Sequence, residues 1–204
     1  MDCSLLDKNQ DTDEIHKLIF SKNLGSISFD DAITKTYFFH KLGLLEETPV
    51  IYLDFDLLYS GYLAANILPQ NESLTVHGPN ENTWKEILVD VLGQISKKQH
   101  LVIIDSLNGF FVTLTDQKDS GRLVNSVLVL LASLGQKTNS VVLVGSISKY
   151  KDDGWVLSGI GRHIIQIEKM NFFSVRKQNS HFQLVLVDNH NLEKSSLQIT
   201  DLDL

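Results

Sequence analysis

Two stretches of this 204-residue chain run from apolar residues straight into an aspartate. Leu101 to Leu107 reads LVIIDSL, and Val50 to Asp56 reads VIYLDFD. A short apolar run of this kind is the pattern of a strand buried on both faces. A carboxylate at the end of such a strand is well placed to hold a magnesium ion beside a nucleotide. Asp105, with Ser106 after it, and Asp56 are therefore candidate metal-shell or catalytic residues. A plainer use is equally open to them. An aspartate after a buried strand accepts N–H bonds from the next turn, and Asp54 with Asp56 would favour the start of a helix.

Nucleotide chemistry at such a strand needs a partner loop. Glycines let backbone N–H groups close on phosphate, a lysine supplies charge, and a hydroxyl meets the metal. The stretch SKNLGSIS offers only Gly25, Ser26 and Ser28 for that work, and Gly145-Ser146 follows the apolar run VVLV. Other chemistries have less support. Cys3 is the only cysteine, so a cysteine-based zinc site and an intrachain disulfide are excluded. The seven histidines are scattered without an H-E-x-x-H pattern, and no G-x-S-x-G elbow occurs. Trp155 in the polar loop KDDGWVLSGIG is a candidate partner-facing aromatic. Arg176 and Lys177, read as part of a polar turn, are candidate interface cations or simply a solvated turn.

The elements that would position these residues follow from periodicity. Ile15 to Phe20 reads as a first strand, SKNLGSIS as the loop after it, and Asp30-Asp31 as a helix start with Ile33, Tyr37 and Phe38 turned inward. A helix is expected over Leu57–Leu68, and a weak strand over Leu74–Val76. Thr83 and Glu86 form a candidate capping box for a helix with Trp84, Ile87, Leu88, Val91, Leu92 and Ile95 on one face. Ser120 to Leu134 reads as a deeply buried helix ending at Gly135. His163 to Glu168, Phe172 to Val175 and Phe182 to Val187 read as strands with no room for helices between them, and Arg176 to Ser180 as the turn joining two of them. Alternation first and hairpins last predict an α/β fold. Its mainly parallel central sheet is flanked by helices and extended by antiparallel strands at one edge. Ligands of such a sheet bind beyond the carboxyl ends of its strands.

Composition bounds the rest. The net charge of −7 argues against a general nucleic-acid surface. The polar, acidic N-terminus lacks the features of a signal peptide, and no apolar run approaches the ~20 residues that span a bilayer. A cytoplasmic protein is expected. The expected layout is an acidic mobile N-terminus over 1–14, one domain over 15–189, and a tail over 190–204 with a short strand at Leu197–Thr200.

The order of VIYLDFD, LVIIDSL, VVLVGS and a closing hairpin resembles the core domain of the RecA/KaiC-like ATPases, over roughly Ile15 to Val187. That resemblance implies a RecA-like P-loop NTPase fold. It makes LVIIDSL the Walker B strand with Asp105 on magnesium, and Asp56 the counterpart of a catalytic carboxylate. VVLVGS becomes the sensor strand, and the turn with Arg176 and Lys177 falls where some relatives place a basic residue that reaches the neighbouring subunit's nucleotide. The first loop departs from the family. Gly25-Ser26-Ile27-Ser28-Phe29 stands against Gly-Ser-Gly-Lys-Thr, so the lysine and the metal-binding hydroxyl are missing. The resemblance then implies a degenerate Walker A loop, no expected cofactor, and a non-catalytic subunit that works by association with itself or another protein. The accessory RecA-fold subunits of the Elongator complex are similar in this respect. Two alternatives stay open. One is a weak ATP/magnesium-binding enzyme or sensor using Gly25, Ser26, Ser28, Ser106 and Ser146 with Asp56 and Asp105. The other is a nucleic-acid-binding accessory of recombinase-paralogue type.

Overall fold

A computed structural model of the chain describes residues 14–114, 116–151, 154–157, 170–178, 181–187 and 193–200. Within them nine strands form one connected β-structure. They are β1 (Leu24–Phe29), β2 (Val50–Asp54), β3 (Leu74–His77), β4 (Leu101–Asp105), β5 (Val141–Lys151), β6 (Gly154–Leu157), β7 (Met170–Gln178), β8 (His181–Val187) and β9 (Glu193–Thr200). The helices are α1 (residues 14–19), α2 (Ala32–Leu45), α3 (Leu58–Ala64), α4 (Trp84–Ile95), α5 (Leu107–Thr113) and α6 (Ser120–Gly135). The strand order is β3-β2-β4-β5-β1-β7-β8-β9, with β6 paired to the far end of β5. From β3 to β7 every neighbour is parallel; β8 then runs antiparallel to both β7 and β9. The α/β class, the mainly parallel sheet and the antiparallel extension thus agree with the sequence reading.

Parallel strands need crossovers, and the helices distribute accordingly. Connections leading out toward β3 carry α2 and α3 on one face. There Phe38, Phe39, Leu42 and Tyr59 meet Ile27, Phe29, Tyr52, Ile103 and Leu143. Connections leading back carry α4, α5 and α6 on the other face, against Ile51, Leu53, Val102, Ile104, Val142 and Val144. Opposite directions on opposite faces keep one crossover hand throughout, as parallel sheets require. Strand residues alternate between the two clusters with the period of the pleat.

The start of the chain differs from the sequence reading. Residues 14–19 are a helix, not a strand, with Ile15 and Ile19 one turn apart and both buried. The first strand is LGSISF, the stretch read as a loop, and it lies in the middle of the sheet between β5 and β7. The decisive pattern is the alternation of Ile27 and Phe29, both fully buried, with half-buried Ser26 and Ser28. Gly25 is packing space: a Cβ there would lie 2.7 Å from Leu143 and 3.3 Å from Phe173.

Smaller corrections follow the same logic. The Thr83–Glu86 capping box does not form. The Thr83 side chain makes no cap bond to α4, and its Oγ1 accepts from Asn80 N–H instead. Ile33 faces solvent, and α6 leaves Val129 and Leu130 half in water instead of being buried all round. Arg176 and Lys177 belong to β7 itself, not to a turn. The expected short strand near the end is the longer β9, seated on β8. Residues 1–13 and the expected strand over His163–Glu168 lie outside the described residues. Among the described residues no helix is long and apolar enough to cross a membrane.

Gly145 sets how closely α2 approaches the sheet. A Cβ there would meet the Phe39 ring at 2.6 and 3.0 Å and the Lys35 side chain at 3.4 Å. Overpacking of this kind costs about 1–3 kcal/mol. Urea unfolding of Gly145→Ala should show a loss in that range. Gly93→Ala, in α4 with nothing within 4 Å of its would-be Cβ, should be neutral or gain up to ~1 kcal/mol.

Candidate functional site

Parallel register brings the two aspartate-ended strands together. Asp54 and Asp105 are direct neighbours at the carboxyl ends of β2 and β4. Both side chains are fully buried, on the face that carries α2 and α3. Asp56 follows just beyond the end of β2, with its side chain 30% exposed.

The charge that meets these carboxylates comes from α2. The connection from β1 to α2 is only Asp30 and Asp31. Asp31 is the N-cap; its carboxylate accepts from Thr34 N–H at 2.8 Å and from the Thr34 hydroxyl at 2.7 Å. One turn into the helix, the fully buried Lys35 directs its ammonium to the end of the sheet. It donates to Asp56 Oδ2 at 2.6 Å and forms a short ion pair with Asp105 Oδ1. The second oxygen of Asp105 accepts from the Tyr52 hydroxyl. Burial alone would depress the lysine, but attraction by Asp105 and Asp56 outweighs it and holds the ammonium protonated. Burial pushes Asp105 up, against the opposing pull of Lys35 and the Tyr52 hydrogen bond.

A second polar layer lies behind this one. Tyr52 stacks on Tyr59 with ring centroids 4.3 Å apart, and the Tyr59 hydroxyl meets His40 Nδ1 at 2.9 Å. Burial, then the charge of Asp105, raises Tyr52 well above an ordinary phenol. Burial and Asp54 push Tyr59 up to about 12. His40 is lowered by burial and by Lys41. Asp54 Oδ2 accepts from Ser60 N–H at 2.7 Å, which anchors the first turn of α3. Gly109 allows α5 to approach from the other side, since a Cβ there would collide with Asp56 and with the Phe55 backbone.

The other sequence-predicted residues divide by position. Gly25, Ser26 and Ser28 lie inside β1 and form no loop; Ser28 donates to the Phe173 carbonyl at 3.2 Å. Ser106 caps α5, accepting from Gly109 N–H at 3.3 Å. Ser146 lies within β5 and donates to the Ile27 carbonyl at 3.4 Å. Arg176 bears on Asp30 at the same sheet edge, where burial raises the Asp30 carboxyl and the guanidinium opposes that rise. Lys177 sits over the Tyr37 and Phe182 rings at 5.9 and 6.0 Å. Trp155 is in β6, opposite Tyr150. The structure thus brings Asp105, Asp56 and Asp54 together at one edge, as the sequence reading expected, and adds Lys35 and Tyr52.

Sequence reasoning missed Lys35, although a signal was available. Lys35, Phe38, Phe39 and Leu42 share one helical stripe, and all four are buried. A lysine on an apolar stripe is rarely buried without a partner.

A magnesium–phosphate group does not fit these residues. The oxygens of Asp105 and the near oxygen of Asp56 already bind hydrogen donors, and the start of α2 is closed by a carboxylate where an anion would sit. Among the described residues no group of three or more His, Cys, Asp or Glu side chains is placed to hold a metal ion. No family model matches the chain, and no curated protein matches it.

Removing one partner of a buried ion pair costs about 3–5 kcal/mol, because the other charge is left bare. Lys35→Met should lose stability in that range at neutral pH. The loss should shrink as pH falls, since protonation relieves the bare Asp105 carboxylate. Lys35→Met with Asp105→Asn should lose less than the two single losses summed. Urea unfolding of the four proteins across pH measures that coupling.

Proposed function

We propose that this chain is a RecA/KaiC-like domain without a phosphate loop, and that it serves as a non-catalytic subunit or regulator through association with protein. One observation carries the reading. The ammonium of Lys35 fills the space between Asp105 and Asp56, where a nucleotide enzyme would hold its cation. A reaction centred there would have to break that ion pair and expel Asp31 from the start of α2. Both are internal contacts of the fold, so the sheet edge is spent on holding α2, α3 and α5 together. What stays available at that edge is surface: exposed Ile33 and Leu57, with Asp30, Asp31 and Asp56 around them. An exterior of mixed apolar and charged character suits a protein contact. The acidic balance of the chain disfavours nucleic acid as the partner.

Titration calorimetry with ATP and magnesium tests this. No binding tighter than roughly 100 µM is expected, a threshold worth about 5.5 kcal/mol. Tighter binding that Asp105→Ala abolishes would overturn the proposal in favour of a nucleotide sensor.

A further inference from the structure

At the other end of α2 from the Lys35 cluster lies another buried carboxylate. Glu46 is the C-cap of α2, and its side chain is 3% exposed. Its Oε2 has no hydrogen-bond partner among the described residues. The position suits an anion badly, because the carboxyl-terminal end of a helix carries partial negative charge. His16 of α1 lies over it, with its Nε2 3.9 Å from that oxygen, beyond a direct hydrogen bond. His16 is half exposed and stacks on Phe20 at 4.1 Å.

Among the described residues, no ion pair to Glu46 other than the long contact with His16 is present. Glu47, the next residue, repels Glu46. Asn71, ahead of β3, donates to the Gly43 carbonyl at 3.0 Å and is uncharged. Lys41, one turn back in α2, bears on His40. The buried carboxyl therefore depends on its own proton. With a proton on Glu46, the group is neutral. Without it, a bare carboxylate is buried with no hydrogen-bond partner for Oε2 among the described residues.

The element that can respond is α1. Its described residues are 14–19, and they carry His16. Ile15 and Ile19 pin it to the first apolar cluster, and Asn171 Nδ2 donates to the Leu18 carbonyl at 3.4 Å and to Ser21 Oγ at 2.7 Å. We infer that α1 is a proton-dependent strap: a proton on the buried Glu46 carboxyl keeps residues 14–19 docked over it, and its loss as pH rises lets them lift away. Lifting gives Glu46 access to water and bares the part of the cluster that Ile15 and Ile19 cover.

Hydrogen exchange of the full chain, corrected for the intrinsic pH dependence of exchange, is the direct test. Burial, with repulsion by Glu47, raises the Glu46 carboxyl from an ordinary 4.5 to about 7 when α1 is docked. Linkage then predicts that protection over residues 14–20 falls about tenfold between about pH 6 and pH 8, while β4 stays constant. Glu46→Gln should remove that fall while α1 remains protected. Protection of α1 that does not change with pH in the natural chain would overturn the inference. So would an equal fall in Glu46→Gln, or a parallel fall in β4, which would mark global loosening.

Discussion

An ammonium group cut off from water has to be neutralised by its neighbours, and the carboxyl edge of this sheet is organised around that need. Lys35 lies under α2, where nothing but protein can solvate it, and Asp105 and Asp56 supply the charge. Tyr52 completes Asp105, and Gly145 and Gly109 let α2 and α5 come close enough to the sheet for the contact. Taking these charges out of water is costly, and only close geometry repays it. The arrangement therefore acts less as a source of net stability than as a constraint. It fixes the position of α2 against β2, β4 and β5.

The same constraint links fold to function. A parallel sheet with crossovers on both faces gathers strand ends along one edge, and polar groups collect there. In this chain most of the gathered groups answer one another, although the buried Asp54 Oδ1 has no hydrogen-bond partner among the described residues. Asp31 closes the start of α2, Ser106 that of α5, and Asp54 holds the first turn of α3. An edge whose donors pair internally, and whose remaining free acceptor is a carboxylate oxygen, has little to offer a phosphate. Association with protein is the reading that leaves these internal contacts intact.

Much of the architecture was legible before any coordinates. VIYLDF, LVII and VVLV could only be buried strands, and α4 and α6 declared themselves by spacing. The convergence of Asp54, Asp56 and Asp105 followed from parallel pairing. The errors came from segments where local cues compete. LGSISF contains a glycine and two serines, so it read as a loop; its alternation with Ile27 and Phe29 was the stronger signal. IHKLIF is apolar enough for a strand, but its Ile15–Ile19 spacing is that of a helix. Thr83 and Glu86 match a capping pattern, yet Asn80 engages Thr83 first. In each case short-range chemistry allowed two outcomes and packing chose one.

By itself the sequence determined the fold class, the burial of the central strands and the absence of a Gly-Lys-Ser/Thr loop, because these depend on residue type and periodicity alone. Tertiary structure decided what Asp105 is for. Lys35 and Asp105 are 70 positions apart, and no local pattern joins them. Only the crossover from β1 to β2, which lays α2 over the end of β4, brings the lysine to the carboxylate. An ion pair depends on distance in space, and the sheet order sets that distance.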